Sequence, residues 1–233
     1  MRKIVKTHAP KTLREWCSVN KNLNHSYDDL RGSQAYKDLK EKLLDEQGKI
    51  CAYTGRTISF PIDSDHLNVS GNWHVEHLKP QNQCDEWEDV EYRNVVACFP
   101  ADGGDTSYGY GAPVKGGWWD ETLFVSPLSD DCERRFRFSW SGHIYPNPED
   151  HRGAKKTIEV LELDNKFLRE LRKARIYGFF GFGRHNRQGP ISVAEAQTAL
   201  EKIDQFDNNG YLREFCFVLK QLLPKYIENG GSP

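Results

Sequence analysis

The sequence lacks a long hydrophobic run, a regular cysteine spacing and a surplus of charge of either sign. Only 37% of its 233 residues are hydrophobic, and no apolar run approaches the roughly 18 residues of a membrane-spanning helix. The beginning, MRKIVKTHAP, has no apolar stretch of the kind that a signal peptide carries. The six cysteines are widely and irregularly spaced, which indicates reduced thiols. We therefore expect a cytoplasmic protein with no membrane partner.

The charge balance limits how this protein could bind nucleic acid. Its 32 Lys and Arg residues nearly offset its 34 Asp and Glu residues, and the net charge is −2 at pH 7. Proteins that bind nucleic acid usually carry a basic surplus. Such a role here would need a local basic patch or a partner that supplies one.

Helical periodicity at both ends of the chain, and its loss in the middle, predict an α+β fold in three parts. Residues 1–48 are predicted to form an N-terminal helical segment, in which Ser33 caps a helix that ends at Gly48. Residues 49–150 are rich in Gly, Pro, Trp and Asp, and are predicted to form the core that carries the site. Residues 151–233 are predicted to form a C-terminal helical subdomain.

Short strands are predicted in the middle part, near residues 73–78, 122–125 and 135–140. The last of these alternates aromatic with polar residues, and Ser141-Gly142 predicts a turn into a partner strand. We therefore expect a hairpin that begins near residue 135.

Helix starts are predicted in the C-terminal part at Asp164 and Ser192. Asp164 is expected to cap a helix with an inward face of Phe167, Leu171 and Ala174. The opposite, basic face of that helix is expected to be solvent-exposed and to carry Lys166, Arg169, Arg172, Lys173 and Arg175. Ser192 and Glu195 match a capping box, in which each side chain satisfies a backbone N–H group of the other residue.

The residues with the most chemical content lie between Trp73 and Asn94. Glu76 and His77 are adjacent, and Asn94 follows His77 by 17 residues. A histidine can deprotonate a water molecule near neutral pH, and carboxylate and amide oxygens are the ligands that Mg²⁺ prefers. The three residues suit a metal-dependent phosphodiesterase site, in which Asn94 is a second ligand or fixes the loop that aims His77. The alternative is that Glu76 and His77 are surface-loop residues and Asn94 caps a helix.

Two neighbouring features carry less chemical information. The sequence HVEH matches neither H-E-x-x-H nor H-x-x-E-H, so His74 is interpreted as structural. The glycine-rich run 103–117 does not match the phosphate loop G-x-x-x-x-G-K-[ST], and Lys115 is its one chemically interesting member.

Several blocks of sequence resemble HNH endonucleases, and more narrowly the PtuB-type nuclease subunits of Septu and retron-associated antiphage systems. In chain order the blocks are KICAYTG at 49–55, WHVEHLKPQ at 73–81, EYRNVVACF at 91–99, GAPVKGGWWDE at 111–121 and FVSPL at 124–128. With the later FRFSWSGHIYP and AKKTIEVLELDN, the resemblance covers roughly residues 33–180. It implies an HNH core, which is a ββα unit with one metal ion between a hairpin and a helix.

The resemblance implies a role for each residue of the site. Glu76 would bind the metal ion, expected to be Mg²⁺ or Mn²⁺, and His77 would be the general base. Asn94 matches the central asparagine of the family. Lys115 is the nearest match to the third family position, where a lysine would contact the scissile phosphate or the leaving oxygen. Two basic residues of the same segment are expected to contact the nucleic acid: Lys79 and Arg93.

Many HNH relatives flank the site with two C-x-x-C pairs that bind a structural zinc ion. Here each pair keeps only its first cysteine, which is Cys51 in one and Cys98 in the other. Cys84 or His66 would have to substitute, and nothing in their spacing argues for it. We therefore predict no structural zinc.

The resemblance also implies partners. One is a nucleic-acid substrate, either DNA or a specific RNA such as a tRNA. The other is an ABC-type ATPase subunit of the PtuA kind, either alone or within a retron complex. The expected function is cleavage of phosphodiester bonds in antiphage defence, controlled by the ATPase. The alternative is a catalytically inactive module of HNH shape that binds nucleic acid or scaffolds the ATPase. Such a module has little reason to keep Glu76, His77 and Asn94 together, which favours the enzyme.

Overall fold

The computed structural model describes residues 1–20, 26–59, 71–102, 107–182 and 189–233, and within them the fold is α+β. These ranges contain eight α-helices and two antiparallel sheets of two strands each. None of the described helices is long and apolar enough to cross a membrane. His66, considered above as a zinc ligand, lies outside the described residues.

The N-terminal helices are α1 (Lys11–Asn20), α2 (Tyr27–Leu30) and α3 (Gln34–Gln47). The predicted limits of α3 are confirmed. The Ser33 hydroxyl accepts a hydrogen bond from the backbone N–H of Tyr36, and Gly48 takes the left-handed conformation at φ 61°. The Gln47 side chain joins α3 to the strand that contains Ala97. Its amide group accepts a hydrogen bond from the Ala97 N–H and donates one to the Ala97 carbonyl oxygen.

The first sheet carries the predicted site. Its strands are β1 (His74–His77) and β2 (Val95–Cys98), which pair with His74 opposite Cys98 and His77 opposite Val95. Every residue of β2 is buried, so the pair lies within the core. After β2 the chain returns to the short helix α4 (Ala112–Lys115), and this turn brings Lys115 to β1.

The second sheet confirms the predicted hairpin. Its strands are β3 (Phe136–Phe138) and β4 (Ile144–Pro146). The strand predicted at residues 122–125 is wrong, because the chain turns there. The Asp120 carboxylate accepts hydrogen bonds from the backbone N–H groups of Thr122 and Leu123, which are therefore engaged locally.

The C-terminal helices are α5 (Arg152–Val160), α6 (Lys166–Phe180), α7 (Val193–Lys202) and α8 (Cys216–Glu228). The predicted capping box at the start of α7 is confirmed. The Ser192 hydroxyl accepts from the Glu195 N–H, and the Glu195 carboxylate accepts from the Ser192 N–H.

The inward face of α6 differs from the predicted one. The buried residues are Leu168, Arg172, Ile176 and Phe180, whereas Phe167 and Ala174 are exposed. The reason is that Arg172 is satisfied inside the protein. Its guanidinium donates to the carbonyl oxygens of Gly142 at 2.6 Å and Leu163 at 2.9 Å. Arginine therefore occupies a core position that a hydrophobic pattern assigns to the surface.

The predicted cap of α6 is also wrong by one residue. Asn165 is the cap, and its side-chain oxygen accepts a hydrogen bond from the backbone N–H of Phe167. The Asp164 carboxylate instead accepts from the backbone N–H of Ile144 and contacts His143, so it joins α6 to the β3–β4 hairpin.

One hydrophobic cluster includes buried residues from all three parts of the chain. Examples are Leu43 of α3, Val96 of β2 and Leu219 of α8. The helices of both ends therefore contribute to the core that surrounds the site-bearing sheet.

Candidate functional site

β1 presents the predicted site residues on its two sides. Successive side chains of a strand point to opposite faces, so His74 and Glu76 lie on one side and His77 on the other. Among the described residues, the Glu76 carboxylate and the His77 ring have different hydrogen-bond partners and do not bond to each other. The site therefore has two neighbouring halves that share the end of β1.

The Glu76 carboxylate is the centre of the first half. Its Oε1 atom accepts hydrogen bonds from Lys115 Nζ at 2.9 Å and from the Tyr53 hydroxyl at 3.3 Å. Its Oε2 atom lies 3.4 Å from His74 Nε2. Lys115 Nζ also donates to the carbonyl oxygen of His77 at 2.9 Å, and the Lys115 side chain is only 1% exposed.

These contacts keep Glu76 ionised. Burial alone raises the pKa of a carboxyl group, because it disfavours the charged form. Here the hydrogen bond with His74 and the ammonium group of Lys115 outweigh burial, and the pKa of Glu76 is lowered below its ordinary value. Glu76 is therefore a carboxylate at neutral pH.

His74 has the surroundings of a metal-binding histidine. Its Nδ1–H donates to the carbonyl oxygen of Pro100 at 2.6 Å. In the protonated ring Nε2–H donates to Glu76, and loss of that proton leaves on Nε2 the lone pair that a metal ion would bind. Metal-binding histidines commonly donate their other ring N–H to such an oxygen. Burial opposes protonation of His74, but the bonds to Glu76 and Pro100 raise its pKa. One sequence signal could have identified this pair. His74 and Glu76 are separated by one residue, which places both side chains on one face of a strand.

The His77 ring forms the second half and is buried, with 7% of the residue exposed. Its Nε2–H donates to the carbonyl oxygen of Asp89 at 2.9 Å, which leaves the lone pair on Nδ1. The ring packs edge-on against Tyr27, with centroids 4.5 Å apart. Burial lowers the pKa of His77, and the bond to Asp89 and the charge of Glu76 only partly offset this effect.

Asn94 holds the loop between β1 and β2. Its Oδ1 atom accepts from the backbone N–H of Lys79 at 2.8 Å. Its Nδ2 atom donates to the carbonyl oxygens of Lys79 and Glu88 at 3.2 and 3.1 Å. Of the two roles considered for Asn94, these contacts favour the one that fixes the loop, since this loop also carries Asp89, the partner of His77.

The three basic residues of the predicted site differ in how available they are. Arg93 is exposed. Lys79 Nζ lies 2.5 Å from the Glu88 carboxylate, so its charge is already offset. Lys115 is buried against Glu76 and orients that carboxylate, and its contact with a phosphate stays a prediction.

The donor set offers two protein ligands for a divalent cation, Glu76 Oε2 and His74 Nε2. Within the ranges that the structure describes, no group of three or more His, Cys, Asp and Glu side chains is arranged to hold a metal ion. Two ligands suit an ion that keeps water molecules and takes oxygens from a phosphate. A set that includes an imidazole favours a transition-metal ion such as Mn²⁺ over Mg²⁺.

The cysteines that remain of the zinc-binding pattern, Cys51 and Cys98, are both buried and reduced. Burial opposes ionisation of Cys51, but hydrogen bonds from Cys98, Thr54 and the Phe99 N–H lower its pKa to about 6. Burial and the neighbouring Cys51 raise the pKa of Cys98. The side chains of Cys51 and Cys98 are therefore hydrogen-bonded to each other. The absence of a structural zinc ion stays a prediction.

Compared with known proteins, the chain matches no family model and no curated sequence. Its function must therefore be inferred from the contacts of the site and from the sequence blocks that resemble HNH endonucleases.

Proposed function

We propose that this protein is a metal-dependent endonuclease of the HNH type. The observation that carries the proposal is the His77 ring. Its Nε2–H is fixed by the carbonyl oxygen of Asp89 at 2.9 Å, so Nδ1 presents a lone pair at the end of β1. A positioned imidazole of this kind is the usual general base for a water molecule. The pairing of β1 with β2, followed by Lys115 of α4 against β1, adds support for an HNH core.

In the proposed mechanism His77 accepts a proton from the attacking water molecule at Nδ1. Its lowered pKa keeps the ring unprotonated at neutral pH, and Asn94 holds the loop that orients it. Glu76 and His74 would hold a divalent cation, which when bound stabilises the charge that develops on the phosphate and on the leaving oxygen. Lys115 keeps the Glu76 carboxylate in the orientation that leaves Oε2 directed at His74.

The partners are also proposals. With a net charge of −2, the chain gains little from general attraction to nucleic acid. We propose that an ABC-type ATPase subunit supplies nucleic-acid affinity and control in antiphage defence, as in the systems that the sequence blocks resemble. The substrate is DNA or a specific RNA such as a tRNA.

One observation favours the non-catalytic alternative. The ion pair between Glu76 and Lys115 is largely buried, and Lys115 also donates to the carbonyl oxygen of His77, as in a purely structural ion pair. In that case the module would bind nucleic acid or the ATPase through its surface.

The test is cleavage of plasmid DNA and total tRNA with Mn²⁺ or Mg²⁺, with and without a candidate ATPase partner. His77→Ala is expected to lower the cleavage rate about 10²–10⁴-fold, because it removes the general base. His77→Gln keeps a side-chain donor for Asp89, and should lose the same activity with less effect on the melting temperature.

His8→Ala is the matched control, since His8 is an exposed histidine, and it should cleave at the wild-type rate. A folded His77→Gln protein that cleaves as fast as wild type would overturn the assignment. Failure of the wild-type protein to cleave under all these conditions would favour the non-catalytic module.

A further inference from the structure

Four aromatic rings and one arginine form a cluster beside the candidate site. We call it the ring platform: Arg56, Phe99, Tyr108, Tyr110 and Phe167. The Tyr110 ring is nearly parallel to those of Phe99 and Phe167, with interplanar angles of 15° and 13° and centroid distances of 6.3 and 6.1 Å. The Tyr108 ring lies 4.8 Å from the Phe99 ring. The Arg56 guanidinium lies 4.1 Å from the Phe99 centroid and donates to the Tyr110 hydroxyl.

Two rings of the platform face solvent. Phe167 is 49% exposed and Tyr108 is 36% exposed, whereas Phe99 and Tyr110 are buried beneath them. The exposed rings have centroids 6.4 Å apart, so they form one continuous surface. Covering such rings would be favourable, by about 25 cal/mol per Å² of apolar area removed from water.

The platform also carries a positive charge. The Arg56 guanidinium lies 5.9 Å from the centroids of both exposed rings. Its one hydrogen-bond partner in the described part of the chain is the Tyr110 hydroxyl, and no carboxylate of that part forms an ion pair with it. The platform therefore suits a ligand that combines a flat ring with a negative charge.

Short links place the platform next to the candidate site. Phe99 directly precedes Pro100, whose carbonyl oxygen lies 2.6 Å from His74 Nδ1. Tyr110 leads through one residue into α4, which ends with Lys115. The platform is therefore connected to the Glu76 carboxylate through His74 on one side and through Lys115 on the other.

The platform is held in place before any ligand binds. The Asn165 side chain donates to the carbonyl oxygen of Gly109 at 3.3 Å, and the backbone N–H of Gly111 donates to Leu161 at 2.8 Å. These bonds tie the chain on both sides of Tyr110 to the start of α6 and to the end of α5. A preformed surface loses less conformational entropy on binding than a surface that must first become ordered.

An unpaired nucleobase with its phosphate has the chemistry that this surface recognises. Splayed bases stack on aromatic rings and on arginine guanidinium planes, whereas the faces of duplex bases are covered by their neighbours. We propose that the ring platform binds an unpaired nucleobase beside the phosphate that is cleaved, so that the substrate is a single-stranded segment of nucleic acid. This inference rests on the proposed nuclease function for the position of the cleaved bond.

The test is the binding of short fluorescent oligonucleotides, measured by anisotropy in a His77→Gln background so that cleavage does not interfere. Single-stranded DNA, single-stranded RNA and the duplex DNA of the same sequence are compared. Phe167→Ala is expected to weaken the binding of single strands about tenfold, because one stacking surface is lost, and to change duplex binding less than twofold. The two single-stranded arms show whether DNA or RNA is preferred.

Two further variants separate stacking from general effects. Phe167→Tyr keeps an aromatic ring and should bind single strands within about twofold of the parent protein. Phe206→Ala removes a phenylalanine that is also 49% exposed but lies outside the platform, and should leave binding unchanged. Equal losses in Phe167→Ala and Phe206→Ala, or no loss in Phe167→Ala, would overturn the proposal.

The platform and the nuclease function can fail separately. If Phe167→Ala binds single strands normally while the wild-type protein cleaves them, the platform is wrong and the nuclease stands. If single strands bind through Phe167 but the wild-type protein cleaves nothing, the platform stands and the nuclease function is wrong.

Discussion

Asn94 shows how a single side chain can hold the loop between β1 and β2. Its amide group makes hydrogen bonds to both backbone groups of Lys79 and to the carbonyl oxygen of Glu88. Asn94→Ala leaves the half-buried N–H of Lys79 without its partner and removes one hydrogen bond from each of the two carbonyl oxygens, and we expect it to lower the free energy of unfolding by about 1–3 kcal/mol. Because Asn94 acts through the loop rather than on the substrate, kcat should fall while KM stays near the wild-type value. Urea unfolding and steady-state kinetics check the two effects. A raised KM with unchanged kcat would contradict a positioning role.

Lys6 gives a prediction about pH at the same scale. Its ammonium nitrogen lies 3.8 Å from the centroid of the Tyr92 ring and has no hydrogen-bond partner among the described residues. Burial lowers the pKa of Lys6 to about 7 from its ordinary 10.5, with Glu46 opposing the shift and Arg93 and Lys42 adding to it. Between these pH values the unfolded chain binds more protons than the folded one, so the Lys6 contribution makes stability rise with pH.

Lys6→Met should remove that contribution. We expect the variant to be more stable than wild type at pH 7 and to gain less stability between pH 7 and pH 9.5. Urea unfolding of both proteins at the two pH values measures the difference. If the free energy of unfolding changes equally in the two proteins between pH 7 and pH 9.5, Lys6 does not titrate in this pH range.

At the scale of elements, local signals in the sequence predict helix ends better than helix faces. The starts of α3 and α7 could be predicted because Ser33 and Ser192 bond groups only three residues away. The inward face of α6 could not, because the partners that satisfy Arg172 come from other elements. Gly142, one of those partners, lies 30 residues away in the sequence.

The candidate site follows the same rule. Glu76, His77 and Asn94 could be proposed from their order in the sequence and from a family resemblance. The carbonyl oxygens that orient His77 and His74 belong to Asp89 and Pro100, and backbone groups leave no sequence signal. The role of Lys115 against Glu76 depends on the return of the chain after β2, which no local pattern predicts.

The contact between α6 and the β3–β4 hairpin can be tested through a glycine. Gly142 has φ 84°, and a Cβ atom there would lie 2.3 Å from the backbone oxygen of Arg169. Gly142→Ala must therefore strain the backbone and move α6, and we expect it to lower the free energy of unfolding by about 2–4 kcal/mol. The measurement is urea unfolding. The midpoint should fall, while the slope of the unfolding free energy against urea concentration should stay constant.

Gly178→Ala is the matched control on the same helix. An added Cβ atom at Gly178 meets no atom within 4 Å, so this variant should gain about 0.5–1 kcal/mol from helix propensity. A Gly142→Ala protein as stable as the Gly178→Ala protein would show that α6 does not rest on the hairpin as described.

At the scale of the whole molecule, the site depends on packing from both ends of the chain. Gln47 of α3 bonds Ala97 of β2, and Leu219 of α8 belongs to the same hydrophobic cluster as Val96. Helices from both ends of the chain therefore support the sheet that carries His77. The chemical role of His77 is the central claim, because the proposed hydrolysis needs a general base that takes a proton from the attacking water molecule.

The most direct test of that claim is single-turnover cleavage in water enriched in oxygen-18, followed by mass spectrometry of the new ends. If His77 activates water, each newly formed phosphate end carries one solvent oxygen, and the labelled product forms at least about 10²-fold more slowly with His77→Gln. Unlabelled or cyclic phosphate ends would show that a substrate hydroxyl attacks instead. Labelled ends formed equally fast by His77→Gln would show that another group is the base.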